Sequence, residues 1–189
     1  MTPLDFFARW RVRIGYLLAV VVLWFSRPVP RSILIGACVG LVGLAIRAYA
    51  AGFLHKQEVL TTTGPYARTR NPLYFGSSIL TLGAAIAMNS WLSAALLLIY
   101  FALVYTFVMR REEIELRRHH GPAFDTYAQS VPLFFPGLFS AKQSPSTDQP
   151  GAAATFSWSQ YRKNHEHQAS LGFLLLLLAL VIIWRLHVA

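Results

Sequence analysis

Apolar residues gather in five runs separated by short polar stretches. None of the runs alternates with the period of two that a half-buried strand needs, and their lengths suit helices. The first extends from Arg13 to Phe25, followed by Ser26-Arg27-Pro28-Val29-Pro30. No small-x-small cleavage site follows it, so it reads as an uncleaved anchor rather than a signal peptide. The second, Ser32 to Phe53, repeats Gly36, Ala37, Gly40 and Gly43 at spacings of three and four, a stripe that lets a neighbouring helix approach closely. The third covers Pro72 to Met88 and the fourth Trp91 to Met109; only Asn89-Ser90 lie between them, which predicts a tight antiparallel hairpin. The fifth, Ala169 to Trp184, contains LLLLLALVII.

Composition says which solvent these helices meet. Of 189 residues, 55% are hydrophobic and only 13% charged, and mean hydropathy is +0.45. A soluble domain carries roughly 25% charged residues, so the expected fold is an all-α integral membrane protein with five transmembrane helices. The net charge of +9 and pI near 10.2 would suggest nucleic acid in a soluble chain. Here the basic residues flank apolar runs instead, the signature of positive-inside topology, and nucleic-acid binding is not expected. With the N-terminus inside, thirteen of the seventeen Lys and Arg fall on the cytoplasmic side; Arg27, Arg31 and Arg185 fall outside, and Arg47 lies within the second helix. That split predicts N-in, C-out in a bacterial-type inner membrane. A four-span alternative would lay the last helix flat, but it has almost no polar face.

The stretch 141–154 (AKQSPSTDQPGAAA) reads as a flexible linker. It implies a core of residues 1–140 with four spans, a linker and juxtamembrane segment at 141–168, and a C-terminal span at 169–189. The single cysteine, Cys38, sits inside an apolar run and reads as a small core residue.

Polar chemistry concentrates in two cytoplasmic segments that the hairpin should make neighbours. The first is Glu58 to Gly76, EVLTTTGPYARTRNPLYFG. Asn71-Pro72 is a helix-start signature, an N-cap residue followed by proline at the first helical position. The exposed N–H groups of such an end favour a ligand carboxylate. Gly64-Pro65 marks a turn, and Tyr66 and Tyr74 offer aromatic faces; capped helices with interfacial tyrosines also occur as plain membrane architecture. The second segment, Arg110 to Pro136, begins with Glu112 and Glu113 where the fourth helix leaves the bilayer. Arg111 with Glu115, and Glu113 with Arg117, stand four apart and can pair along the helix. The alternative to such a salt-bridged end is a carboxylate that holds a ligand ammonium. His119, His120, His165 and His167 lack the i, i+4 spacing of metal ligands on one face, and no metal site is expected. Arg47 is either a snorkelling side chain or the anchor for an anionic substrate head.

These segments resemble the isoprenylcysteine carboxyl methyltransferase and phospholipid methyltransferase superfamily. The shared elements are Gly64-Pro65-Tyr66, then Arg70-Asn71-Pro72-Leu73-Tyr74-Phe75-Gly76, a helical hairpin, the pair Glu112-Glu113, and Gly121-Pro122-Ala123-Phe124-Asp125-Thr126-Tyr127 with Val131-Pro132 and Pro136. The match covers about residues 55–137. It implies a membrane methyltransferase using S-adenosyl-L-methionine. Glu58, Val59, Leu60, Thr61, Tyr66, Asn71, Pro72, Leu73, Tyr74 and Glu112 would hold the cofactor, with Arg70 and Glu113 as catalytic residues. Asn71 stands where carboxyl methyltransferases commonly have histidine. Val108 stands where the family's substrate-binding arginine falls, with Arg110 and Arg111 displaced toward the helix exit; these two and Arg47 are the substrate-binding candidates.

In-line methyl transfer needs orientation and exclusion of water more than acid–base groups. A carboxylate acceptor is already ionised at neutral pH, whereas an amine must lose a proton, for which Glu113 is the candidate base. The acceptor should be a lipophilic small molecule or lipid entering laterally from the membrane, with isoprenylcysteine-type carboxyl methylation favoured over phospholipid amine methylation. Two competing readings are a nicotinamide-dependent sterol-type reductase, which shares an R-x-P-x-Y element, and a non-catalytic membrane protein.

Overall fold

The computed structural model describes residues 3–55, 59–137 and 155–188, with side chains from Arg13 onward. The expected linker 141–154 and Glu58 lie outside the described residues. Among the described residues every regular element is helical: α1 Pro3–Trp24, α2 Pro30–Phe53, a single 3₁₀ turn Gly64–Ala67, α3 Pro72–Met88, α4 Trp91–His120, α5 Pro122–Ser130, α6 Trp158–Lys163 and α7 His167–Val188. Three of them, α2, α4 and α7, are long and apolar enough to cross a membrane. The apolar part of α1 (Arg13–Trp24) and α3 are shorter.

The five apolar helices run alternately between two ends of one bundle. At one end α1 finishes beside α3 and α4: Val22, Ala87, Met88 and Leu180 form a buried cluster. Hydroxyls satisfy backbone groups there. Ser93 Oγ donates to the Val22 carbonyl (2.8 Å), and Ser32 Oγ accepts from Val29 N–H and reaches the Ala87 carbonyl, both at 3.1 Å. The α3–α4 hairpin closes in the two residues the sequence allows. Asn89 adopts the left-handed conformation (φ 50°, ψ 42°), and its side chain donates to the Arg27 carbonyl at 2.9 Å. Asparagine tolerates that region better than other side chains. Ser90 then caps α4 by accepting from Ser93 N–H.

The closest helix pair is α2 with α3, and the glycine stripe explains it. A Cβ at Gly43 would stand 2.5 Å from the Leu80 amide nitrogen, and one at Gly83 2.5 Å from that of Gly40. Only hydrogen fits between these backbones. The Phe173 ring of α7 covers Gly40 from the other side. Cys38 corrects the expectation of a core thiol: it is exposed on the outward face of α2. It stands two residues from Gly36, which already packs on α3, and residues two apart do not share a helix face. Outward residues such as Leu34, Ile35, Leu41, Leu103, Leu174, Leu178 and Ile182 are apolar and exposed, as a lipid-facing belt requires.

Helix α4 continues well past the apolar run that ends at Met109, because its charged extension sustains the helix. Arg111 Nε pairs with Glu115 at 3.0 Å as expected. The expected Glu113–Arg117 pair is not formed: Arg117 Nε binds Asp125 of α5 at 2.8 Å, and Glu113 goes elsewhere.

Candidate functional site

The second end of the bundle collects the start of α3, the charged part of α4, α5, and the end of α2. Its foundation is a set of backbone contacts between the loop before α3 and the strip after α5. Arg70 N–H donates to the Pro132 carbonyl (2.9 Å), and Gly137 N–H to the Arg68 carbonyl (2.8 Å). Thr69 Oγ1 donates to the Phe134 carbonyl at 2.9 Å. Asn71 occupies the N-cap position, as the sequence predicts, but its side chain does not cap α3. It donates instead to the Leu133 carbonyl at 3.0 Å. The buried Asn71 amide is satisfied there by a tertiary acceptor in place of the helix end. The start of α3 therefore has no side-chain cap from Asn71.

Leu60, Phe124, Tyr127 and Val131 pack together beneath this loop. The Tyr127 hydroxyl donates to the Tyr66 carbonyl at 2.7 Å, tying α5 to the 3₁₀ turn. That turn opens on Gly64 with φ +59°, where a Cβ would run into the Phe53 ring, so glycine is required twice over. Tyr66 is itself buried against Ala50 and Phe53. Burial pushes both phenols above the usual tyrosine range; for Tyr66 the neighbouring Tyr127, Glu112 and Glu166 add to the effect, while Arg47 opposes it.

Two charged contacts join α4 to the start of α3. The Tyr74 hydroxyl donates to Glu112 Oε1 at 2.5 Å, a charge-assisted hydrogen bond, and Tyr74 stacks edge-on against Tyr105 with centroids 5.0 Å apart. Arg70 Nη1 forms an ion pair with Glu113 Oε1. Arg70 Nε is buried and without an acceptor among the described residues. Such an atom is expensive to leave unpaired, so it fits a site completed by a ligand oxygen.

The expected site residues thus divide. Tyr66, Arg70, Asn71, Pro72, Leu73, Tyr74, Glu112 and Glu113 come together at one end. Leu60 and Thr61 lie buried in the same loop, Thr61 Oγ1 accepting from His55 N–H at 3.3 Å, and Val59 precedes them. Arg110 and Arg111 are exposed, and Arg111 is engaged with Glu115. Arg47 neither snorkels freely nor stands open: it is bound by Glu166 (2.8 Å), Ser77 and the Leu73 carbonyl. Thr69, Ser77 and Glu166 are not among the expected site residues, and Glu166 carries no signal in the sequence; Tyr127 stands in the Gly121–Tyr127 element of the resemblance without a role.

Comparison with known proteins adds the chemistry of a class. The model of the phospholipid methyltransferase family matches residues 10–123. The nickel-cobalt-cadmium resistance protein NccN of Alcaligenes xylosoxydans xylosoxydans is 34% identical over 161 residues, 77% of this chain and 74% of that protein. The cobalt-zinc-cadmium resistance protein CzcN of Cupriavidus metallidurans is 33% identical over 138 residues, 68% of this chain and 62% of that protein. No solved structure matches. The matched span takes in both charged contacts between the start of α3 and the exit of α4, and the chain belongs to the phospholipid methyltransferase family.

Proposed function

We propose that this protein transfers a methyl group from S-adenosyl-L-methionine to a lipophilic acceptor at the cytoplasmic face of the membrane. The observation that carries the reading is the junction of Tyr74 with Glu112 and of Arg70 with Glu113, two contacts that join the start of α3 and the loop before it to the exit of α4. The residues fit the cofactor's chemistry. The Glu112 carboxylate suits the methionyl ammonium, the positive N-terminal end of α3 suits the methionyl carboxylate, and Tyr74 offers a π-face to a sulfonium. The buried Arg70 Nε supplies one more donor for a ligand oxygen. When bound, the cofactor supplies an electrophilic methyl; the chain's task is to orient, to desolvate and to neutralise.

Five spans with the N-terminus inside fit the alternating helix directions and the basic flanks of the polar end. Between acceptors, the pairing of Glu113 with Arg70 favours a carboxylate. An amine acceptor needs a base, and Glu113 would first have to give up its guanidinium partner, whereas a carboxylate needs no base. Titration calorimetry of the detergent-purified protein with S-adenosylhomocysteine tests the core of the reading. Binding that weakens about a hundredfold in Glu112→Ala, the loss of a charge-assisted contact, is expected. Absence of binding by the intact protein would remove the proposal.

A second reading concerns physiology and rests on the two relatives, both named for metal resistance. Methylation by this protein then contributes to tolerance of divalent transition metals by changing the membrane surface. A cell lacking the protein should grow less well on cobalt and recover with the wild type but not with Glu112→Ala. Equal recovery by both would separate tolerance from methyl transfer.

A further inference from the structure

Glu166 lies outside the family-matched residues 10–123, in the turn between α6 and α7, yet it is only 8% exposed. Both of its carboxylate oxygens are taken by one guanidinium: Arg47 Nε reaches Oε2 at 3.0 Å and Nη2 reaches Oε1 at 2.8 Å. This fork fixes the rotation of the guanidinium plane. The remaining nitrogen, Nη1, faces the Ser77 hydroxyl and the Leu73 carbonyl at 3.4 Å, and Ser77 Oγ donates to the same carbonyl at 2.9 Å. The stem of Arg47 also lies against Gly76, where a Cβ would come within 2.8 Å of Cγ. A carboxylate from the C-terminal segment thereby reaches, through Arg47, the Leu73 carbonyl in the first turn of α3, and that turn carries Tyr74.

The same segment is fastened by other means. Asn164 Nδ2 donates to the Ala51 and Leu54 carbonyls at 2.8 and 2.9 Å, closing the free end of α2. Ser157 N–H donates to the Gly52 carbonyl at 2.9 Å, and the Phe156 ring covers Gly52. Docking of the segment does not depend on Glu166 alone, and Glu166 is aimed through Arg47 at α3. We infer that Glu166 is a positioning residue for the site, acting through Arg47 to keep the first turn of α3, and with it Tyr74, in register with Glu112. The functional consequence rests on the methyl-transfer reading; the structural one does not.

Two variants of the full chain test it, Glu166→Gln and the paired Arg47→Met/Glu166→Met, by amide hydrogen exchange and by calorimetry with S-adenosylhomocysteine. Glutamine cannot offer acceptors to both Nε and Nη2, so exchange at residues 75–78 should quicken about tenfold. S-adenosylhomocysteine should bind about tenfold more weakly, the cost of a small misplacement. The paired variant should recover the melting point, because an ion pair replaced on both sides loses little, yet keep the fast exchange and weak binding. Wild-type exchange at residues 75–78 in Glu166→Gln would overturn the inference. So would a paired variant that regained exchange protection and affinity together with its melting point, which would make the pair a docking contact only. If the wild type bound no S-adenosylhomocysteine while exchange responded as expected, methyl transfer would fall and the positioning of α3 would stand.

Discussion

The two ends of the bundle solve the same problem with different chemistry. At the end where α3 turns into α4, side chains bond nearby backbone carbonyls: Ser32, Ser93, Asn89 and the Arg27 guanidinium each donate to one, around a core of Val22, Ala87, Met88 and Leu180. At the other end the contacts are charged and link distant parts of the chain: Arg47 with Glu166, Arg70 with Glu113, Tyr74 with Glu112. A neutral hydroxyl–carbonyl bond closes a fold at little desolvation cost. Charges brought together in a partly dry setting stabilise a fold far less efficiently, since their desolvation offsets most of the attraction. Their concentration at one end accords with the methyl-transfer site proposed above.

Mutations should separate the roles of these regions. The largest effect is expected midway between the ends, where α2 and α3 touch through glycine. Gly83→Leu meets backbone rather than movable side chain, so a loss of at least about 4 kcal/mol is expected, visible as failure to recover a monodisperse protein in detergent. At the charged end, Glu113→Ala leaves the Arg70 guanidinium partly buried with neither Nη1 nor Nε paired, and should destabilise by about 3 kcal/mol in thermal melts. At the end where α3 turns into α4, Ser93→Ala should cost about 1 kcal/mol and leave S-adenosylhomocysteine affinity unchanged. A loss of affinity there would erase the division between the ends.

Alkaline titration sharpens the comparison further. Tyr66 and Tyr127 have phenols raised above the ordinary value of 10.0 by burial. The unfolded chain therefore releases these protons first. Below about pH 10 the two groups add no pH dependence; above it the unfolded state gains, and stability falls as pH rises. Melting temperatures between pH 8 and 11 check the sign. The smallest effect should come from Arg111→Ala, whose exposed partner Glu115 contributes less than about 0.5 kcal/mol in the same melts.

Much of the polar end was legible because its signals are local. Gly64-Pro65, Arg70-Asn71-Pro72 and the two-residue Asn89-Ser90 connection dictate turns and a helix start from neighbours in sequence, and the hairpin then brings Tyr74 and Glu112 together. What was not legible is the choice of partner. Glu113 had a plausible mate in Arg117, one turn away, but tertiary proximity gave it Arg70, and Arg117 turned to Asp125. Asn71 forsook the cap for the Leu133 carbonyl for the same reason. Glu166 stands 119 residues from Arg47, beyond any periodicity argument. Cys38 was misread for a simpler cause: an apolar run says that a residue avoids water, and lipid on the outer face serves as well as a core.

Helix α4 starts at the exposed Trp91 and carries Glu112 and Glu113 about 30 Å further along its axis, at ~1.5 Å per residue. That span equals the hydrocarbon thickness of an average bilayer, roughly 30 Å. Were the indole held in one headgroup layer, the helix would work as a ruler that sets the depth of the two carboxylates in the opposite layer. Thicker or thinner acyl chains tilt such a rod and shift its acidic mark relative to the lipid surface. Turnover should accordingly respond to the chain length of the surrounding lipids.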